Sequence, residues 1–321
     1  MVMIEGWLLD VHENETSTGM VAWIVDDQGR AHGCVLSWQP AIHVHASHHQ
    51  LDGLEHWLAQ PEIRQRFGVG TVLATQARLD LEAEGRSDVL SIALRSYQHL
   101  RALAEHIEAR GDFHRFKLYS VDAHLAQRFL NEHGCMPFQR VRWSPSNPNR
   151  LEALSETSGG DAYPPFHVVR LTVEFTSGGT VTPRDDSVVR IGLETVQEPG
   201  ISPPRTKASY RFERSEFTSF PAFIAAFQAA FDAVDPDVVL TAGGDQRWFP
   251  WFVEQAKVHA APLVLGRTTE HLNRSTGQRT VHSYGQTRHR HGAFFLKGRL
   301  HLDLKNSFIV NEGGLAGLFE L

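Results

Sequence analysis

Apolar residues come in short bursts along the first third of the chain. Trp7-Leu8-Leu9, Met20 to Val25 and Cys34 to Trp38 are each bounded by polar or turn-forming residues, with Asp26-Asp27-Gln28-Gly29 between the last two. Runs this short, rich in β-branched and aromatic side chains, predict strands of an antiparallel meander. Leu54, Trp57 and Leu58 then recur at helical spacing before Pro61, and Leu100, Leu103, Ala104 and Ile107 do so before Gly111. Those spacings predict two amphipathic helices, with Val89 to Leu94 as a strand between them. The first 150 residues therefore read as a small α+β unit.

From Ser144 to Pro165 the apolar pattern lapses into Ser-Pro-Ser-Asn-Pro-Asn, Ser-Gly-Gly and Pro-Pro. This composition predicts a linker over 151–165. Regular alternation resumes beyond it. Val168 to Phe175, Ser187 to Leu193 and Ala208 to Phe212 predict three meandering strands. Phe220, Phe223, Ile224, Phe227 and Phe231 mark one face of a helix that Ser219 is placed to cap. Val238 to Thr241 reads as a buried strand, and Trp248 to Lys257 as another helix. This order predicts an α/β domain over 166–321.

Composition narrows the picture only slightly. With 321 residues, 41% of them hydrophobic, the chain has material for two cores. It contains no run near the ~20 apolar residues that a membrane span needs, and Met1 to Glu5 is no basic lead into an apolar stretch. A cytoplasmic protein with no membrane partner is expected. Cys34 and Cys135 lack metal-type spacing. The net charge of -6 argues against a surface uniformly adapted to nucleic acid. The eight Lys and Arg residues from Arg267 to Lys305, opposed only by Glu270 and Asp303, form a basic stretch compatible with a phosphate contact, and Arg288-His289-Arg290-His291 within it reads either as such a contact or as a solvated hairpin tip.

Some candidate chemistry has a plainer reading beside it. His43 and His45 alternate on one strand face and His48-His49 follow, which suggests zinc, yet 19 histidines make such a cluster unremarkable and a structural role is expected. Trp248 and Trp251 are one helical turn apart, as core packing or base stacking would have them. Phosphate-binding loops of the Gly-x-x-x-x-Gly-Lys type, His-Glu-x-x-His and Gly-x-Ser-x-Gly are all missing from the sequence.

Three stretches together carry a resemblance. The first is Leu118-Tyr119-Ser120-Val121-Asp122, a helix-like segment, and Gly134 to Phe138, with Asp122 expected as N-cap and Gly134 just past the helix end. The second joins Val168–Leu193 to Phe217–Phe249, including Asp235-Pro236-Asp237-Val238-Val239-Leu240-Thr241. The third is Pro262 to Arg267, Ser283-Tyr284-Gly285 and Gly298-Arg299-Leu300-His301-Leu302-Asp303. In this combination the chain resembles the N-terminal domain and the 3′–5′ exonuclease-like domain of a prokaryotic family B DNA polymerase.

The resemblance implies a ribonuclease H-like exonuclease domain with a mixed sheet, preceded by a smaller α+β domain. It also implies DNA as a partner, a primer-template or a single strand, and further polymerase domains in cis or as a split subunit. Template-directed nucleotidyl transfer in replication or repair, with Mg²⁺ or Mn²⁺, would fall to that parent polymerase. The apolar end from Leu315 to Leu321 fits an exonuclease-like domain truncated at its C-terminal side.

The departures from the family pattern decide the expected chemistry. The family's first exonuclease motif is Asp-x-Glu; here Thr172 and Glu174 occupy those positions. Its second motif is Asn followed five residues later by Asp; here Gly243 and Trp248 stand there. The third motif is expected beyond Leu321. Two hard cations need several anionic oxygens, and Glu174 alone survives, so no metal and no cofactor are expected in this chain and proofreading is expected to be lost. The alternatives are an active exonuclease using displaced ligands (Asp185, Asp186 or Asp245) and a protein-interaction module. If DNA binds, Arg267, Arg274, Arg279, Arg288 and Arg290 are the expected contacts.

Overall fold

A computed structural model describes residues 3–77, 85–154, 164–176, 188–196, 208–275, 279–283, 286–290 and 292–305. The chain divides into two compact units, Met1–Ala22 with Gly33–Ser155, and Trp23–His32 with Glu156–Leu321.

The first unit holds two sheets where one meander was expected. Strands β1 (Ile4–Glu13), β2 (Gly19–Val25), β3 (Ala31–Ser37), β8 (Arg140–Ser144) and β9 (Asn147–Ala153) follow the order β3-β2-β1-β8-β9. The other sheet runs β5-β6-β4-β7, from β4 (Ala41–His45), β5 (Val69–Ala77), β6 (Ser87–Leu94) and β7 (Lys117–Tyr119). Against it lie α1 (His48–Leu58), α2 (Pro61–Phe67) and α3 (Leu100–Arg110), burying Leu54, Leu58, Phe67, Leu103 and Ile107 on Ile42, Ile92 and Leu94. The period that marked α1 and α3 is therefore the face that fills this core.

Two local expectations change in this unit. The predicted linker includes the end of β9, because that strand exposes Asn147 to Arg150 and buries Leu151 alone among its residues. An edge strand with a single inward residue has no period to read, and Pro148 is tolerated on an edge. Helix α4 (Leu125–His133) starts after His124, so Asp122 is not its cap. Gly134 does end it, in the left-handed region at φ 63°.

The second unit is built on a sheet ordered β12-β11-β10-β13-β16. Here β10 (Val168–Phe175), β11 (Val188–Thr195) and β12 (Ser209–Glu213) are antiparallel neighbours. Strands β13 (Val238–Thr241) and β16 (Leu300–Asp303) run parallel to β10. Val169, Leu171 and Val173 alternate inward, against Phe223, Phe227 and Phe231 of α5 (Phe220–Val234) and Trp251 and Phe252 of α6 (Phe249–His259). The Ser219 hydroxyl accepts the Ala222 N–H at 3.3 Å, capping α5 as its sequence predicts. A π-helical turn, Gly244–Trp248, precedes α6. A separate two-stranded ribbon pairs β14 (Arg279–Ser283) with β15 (Gln286–Arg290).

Candidate functional site

Alternation along β10 sends Val169, Leu171 and Val173 into the core and leaves Arg170, Thr172 and Glu174 on the opposite, exposed face. Thr172 and Glu174 thus share one face, as the spacing requires. Cross-strand register sets Thr172 against Gly192 and Glu174 against Arg190. A Cβ on Gly192 would lie 2.5 Å from the Thr172 hydroxyl, so the threonine side chain covers that gap in the sheet.

Glu174 is not a free carboxylate. Arg190 donates from Nη1 to Glu174 at 2.6 Å and from Nε to Glu213 at 2.6 Å. Arg211 donates to the same Glu213 oxygen at 2.7 Å. A charge ladder therefore crosses β10, β11 and β12. Hydrogen bonds from Arg190 and Arg211 draw the Glu213 carboxyl below the usual range. The bonds to Glu213 and Glu174 push the Arg190 guanidinium up.

The other expected ligand positions lie in the loop and π-turn after β13. Gly243 sits at φ 116°, a conformation strained for any residue with a side chain. Its N–H and that of Asp245 donate to the two oxygens of Asp303, at 2.7 and 2.8 Å. The Lys305 N–H adds a third bond at 3.0 Å. Trp248 is buried in the aromatic core, as is Trp251, so neither offers a face for base stacking. The Arg247 guanidinium lies 4.2 Å from the centre of the Phe175 ring, which brings this turn to the end of β10.

Asp245, one of the carboxylates considered for a displaced site, is also committed. Its Oδ1 accepts the Phe294 N–H at 2.9 Å and lies 3.6 Å from His301 Nδ1. His301 contacts Thr241 Oγ1 through Nε2 at 2.8 Å and the Phe294 carbonyl through Nδ1 at 3.1 Å. Burial draws the His301 pKa down, outweighing the opposing pull of Asp245 and Asp303. Asp185 and Asp186 lie outside the described residues. Among the described residues, no three His, Cys, Asp or Glu side chains converge as a metal set.

The basic residues divide. Arg267 does not face solvent: its side chain is 6% exposed and bonds Asp235 at 3.0 Å, Asp237 at 2.7 Å and the Gly298 carbonyl at 2.9 Å. Its expected role as a phosphate contact is corrected to a buried ion pair. Arg274 is exposed. Arg279, Arg288 and Arg290 lie on the backbone of the β14–β15 ribbon, and their side chains are outside the described part. Arg190 is a functional side chain that no motif marks, because its partners Glu174 and Glu213 are set by strand register.

The histidine group does not assemble. His45 Nδ1 is 3.0 Å from the Asp88 carbonyl and His48 is 3.9 Å from Asp52. Burial and the nearby Arg128 guanidinium both push His43 toward its neutral form.

No protein-family model matches the sequence, and no curated protein does. A solved family B DNA polymerase from the hyperthermophilic archaeon Pyrobaculum calidifontis does match in structure. The superposition covers 97% of this chain with a TM-score of 0.69. The chain has the fold of part of a family B DNA polymerase. Sequence identity over the match is 19%, so the likeness carries the fold and not the activity. The chain spans 38% of the length of that polymerase.

Proposed function

We propose that this chain forms the N-terminal and exonuclease-like part of a family B DNA polymerase and engages DNA without cleaving it. Its second unit is read as a ribonuclease H-like domain. Three antiparallel strands followed by two parallel ones, in the order β12-β11-β10-β13-β16, support that reading. The remaining polymerase domains, in cis or as a separate subunit, would carry Mg²⁺- or Mn²⁺-dependent nucleotidyl transfer. DNA replication or repair in the cytoplasm is the corresponding setting.

The observation that carries the loss of proofreading is the clamp on Glu174, the acid expected to remain, whose carboxylate is bonded to Arg190 at 2.6 Å. Thr172, Gly243 and Trp248 stand at the other aligned ligand positions. Glycine has no side chain and an indole offers no lone pair to a cation. The residues present therefore do not fit a pair of divalent ions, and no cleavage step is assigned to them.

The experiment uses a labelled single strand and a labelled primed template. The expected result is no loss of 3′ nucleotides with either Mg²⁺ or Mn²⁺. Binding to the primed template is expected to weaken steeply between about 50 and about 200 mM salt, as backbone contacts do. Arg274, Arg279, Arg288 and Arg290 are the proposed contacts, and the quadruple alanine variant should flatten that salt dependence. Metal-dependent shortening abolished by Glu174→Ala would overturn the nuclease part. No binding at low salt would overturn the DNA part.

A further inference from the structure

The exonuclease reading implies a metal-binding face, yet the Glu174 face holds a different kind of cation. Arg190 lies between two carboxylates on the flanking strands, Glu174 on β10 and Glu213 on β12, and bonds each at 2.6 Å. Arg211, two residues earlier on β12, bonds the same Glu213 oxygen at 2.7 Å. Two carboxylates against two guanidiniums leave the ladder with no formal charge. We propose that Arg190 is the resident cation of this face, holding Glu174 and Glu213 together in place of a divalent ion and excluding metal from the strand. The inference rests on reading Glu174 as the remnant of a metal-binding set.

Two physical reasons favour the arginine over a metal ion. A guanidinium cannot shed its charge at any working pH. It is also tethered to β11, so it holds its carboxylates without the cost of capture from solution, whereas Mg²⁺ gives up its water reluctantly and demands near-octahedral oxygen. Strand spacing suits the arrangement. Neighbouring strands are about 4.8 Å apart, so two glutamates on strands that flank β11 both reach a group over the middle strand.

The test is Mn²⁺ binding, followed by water-proton relaxation without DNA. Wild-type protein and Glu174→Gln should titrate alike. Arg190→Gln combined with Arg211→Gln should bind Mn²⁺ at least tenfold more tightly than wild type, and adding Glu174→Gln should abolish the gain. Arg190→Lys, which keeps the charge, and Arg211→Gln alone should add nothing. The inference is overturned if the double variant gains no Glu174-dependent binding, or if Glu174→Gln weakens binding by the wild type. The wild-type comparison leaves Arg190 undisturbed and so stands even where an Arg190 variant fails to fold. Because the readout needs no turnover, its failure is distinct from discovery of nuclease activity, which would instead overturn the proposed function.

Discussion

The Asp303 carboxylate accepts the Gly243 N–H at 2.7 Å, binding the last described strand of the second unit to the loop in which a cleavage motif was expected. Asp245 and Lys305 donate to the same carboxylate. This acid therefore organises backbone. Asp303→Ala leaves three N–H groups without their acceptor and is expected to destabilise the protein by about 3 kcal/mol. Urea unfolding measures the loss, and a change under about 0.5 kcal/mol would refute the assignment.

Asp235 is shared by Arg267 and Arg299, at 3.0 and 2.7 Å, and Arg267 also bonds the fully buried Asp237. Burial alone would raise the Asp235 pKa, but the two guanidiniums outweigh it and hold the carboxyl low. Arg299, drawn down to about 10 chiefly by its own burial, remains charged at neutral pH. Arg267→Ala removes the guanidinium that bonds the buried Asp237 carboxylate, which keeps the His167 N–H, and is expected to cost about 3–5 kcal/mol. Arg274→Ala, at an exposed position, is expected to stay within about 0.5 kcal/mol. Thermal melts of the two variants discriminate buried from exposed arginine directly.

His301 makes stability depend on pH in a defined direction. Its pKa lies below the ordinary 6.5 in the folded state, so the unfolded chain binds more protons once the pH falls below that value. Stability contributed by the neutral imidazole is present above pH 6.5 and is lost as the pH falls through that value toward the folded pKa. Each such group contributes at most about 1.4 kcal/mol per pH unit in that window. The urea midpoint is expected to drop between about pH 7 and about pH 5.5, and His301→Gln should flatten the drop. An unchanged slope in the variant would exclude His301 as the source.

Gly192 and Thr172 should behave as a coupled pair. A Cβ at position 192 meets the Thr172 hydroxyl at 2.5 Å, a contact that must be relieved. Gly192→Ala is expected to cost about 1 kcal/mol, and Thr172→Ala in the same chain should recover most of it. Such neighbours commonly show coupling of about 0.5–3 kcal/mol. Additive losses in the double variant would mean that the sheet moves instead.

Much of the local structure was written in residue spacing. The inward Val169, Leu171 and Val173, the phenylalanine face of α5 and its Ser219 cap follow from periods of two and 3.6 and from capping chemistry. The two sheets of the first unit were not legible, because β5 and β9 are mostly exposed and show little alternation. The partner of Glu174 was hidden for a different reason. Register between β10 and β11 includes a bulge at Glu174/Phe175, and pairing fixes it; distance along the chain does not.

The sequence by itself determined which residues stand at the expected ligand positions, and threonine, glycine and tryptophan cannot become carboxylates in any fold. Only the tertiary structure decided what the remaining charges do. It buried Arg267 against acids some thirty residues earlier and set Arg190 between glutamates of two other strands. A charge's role depends on the dielectric around it and on the counter-charge within a few ångströms, and both are properties of three-dimensional packing.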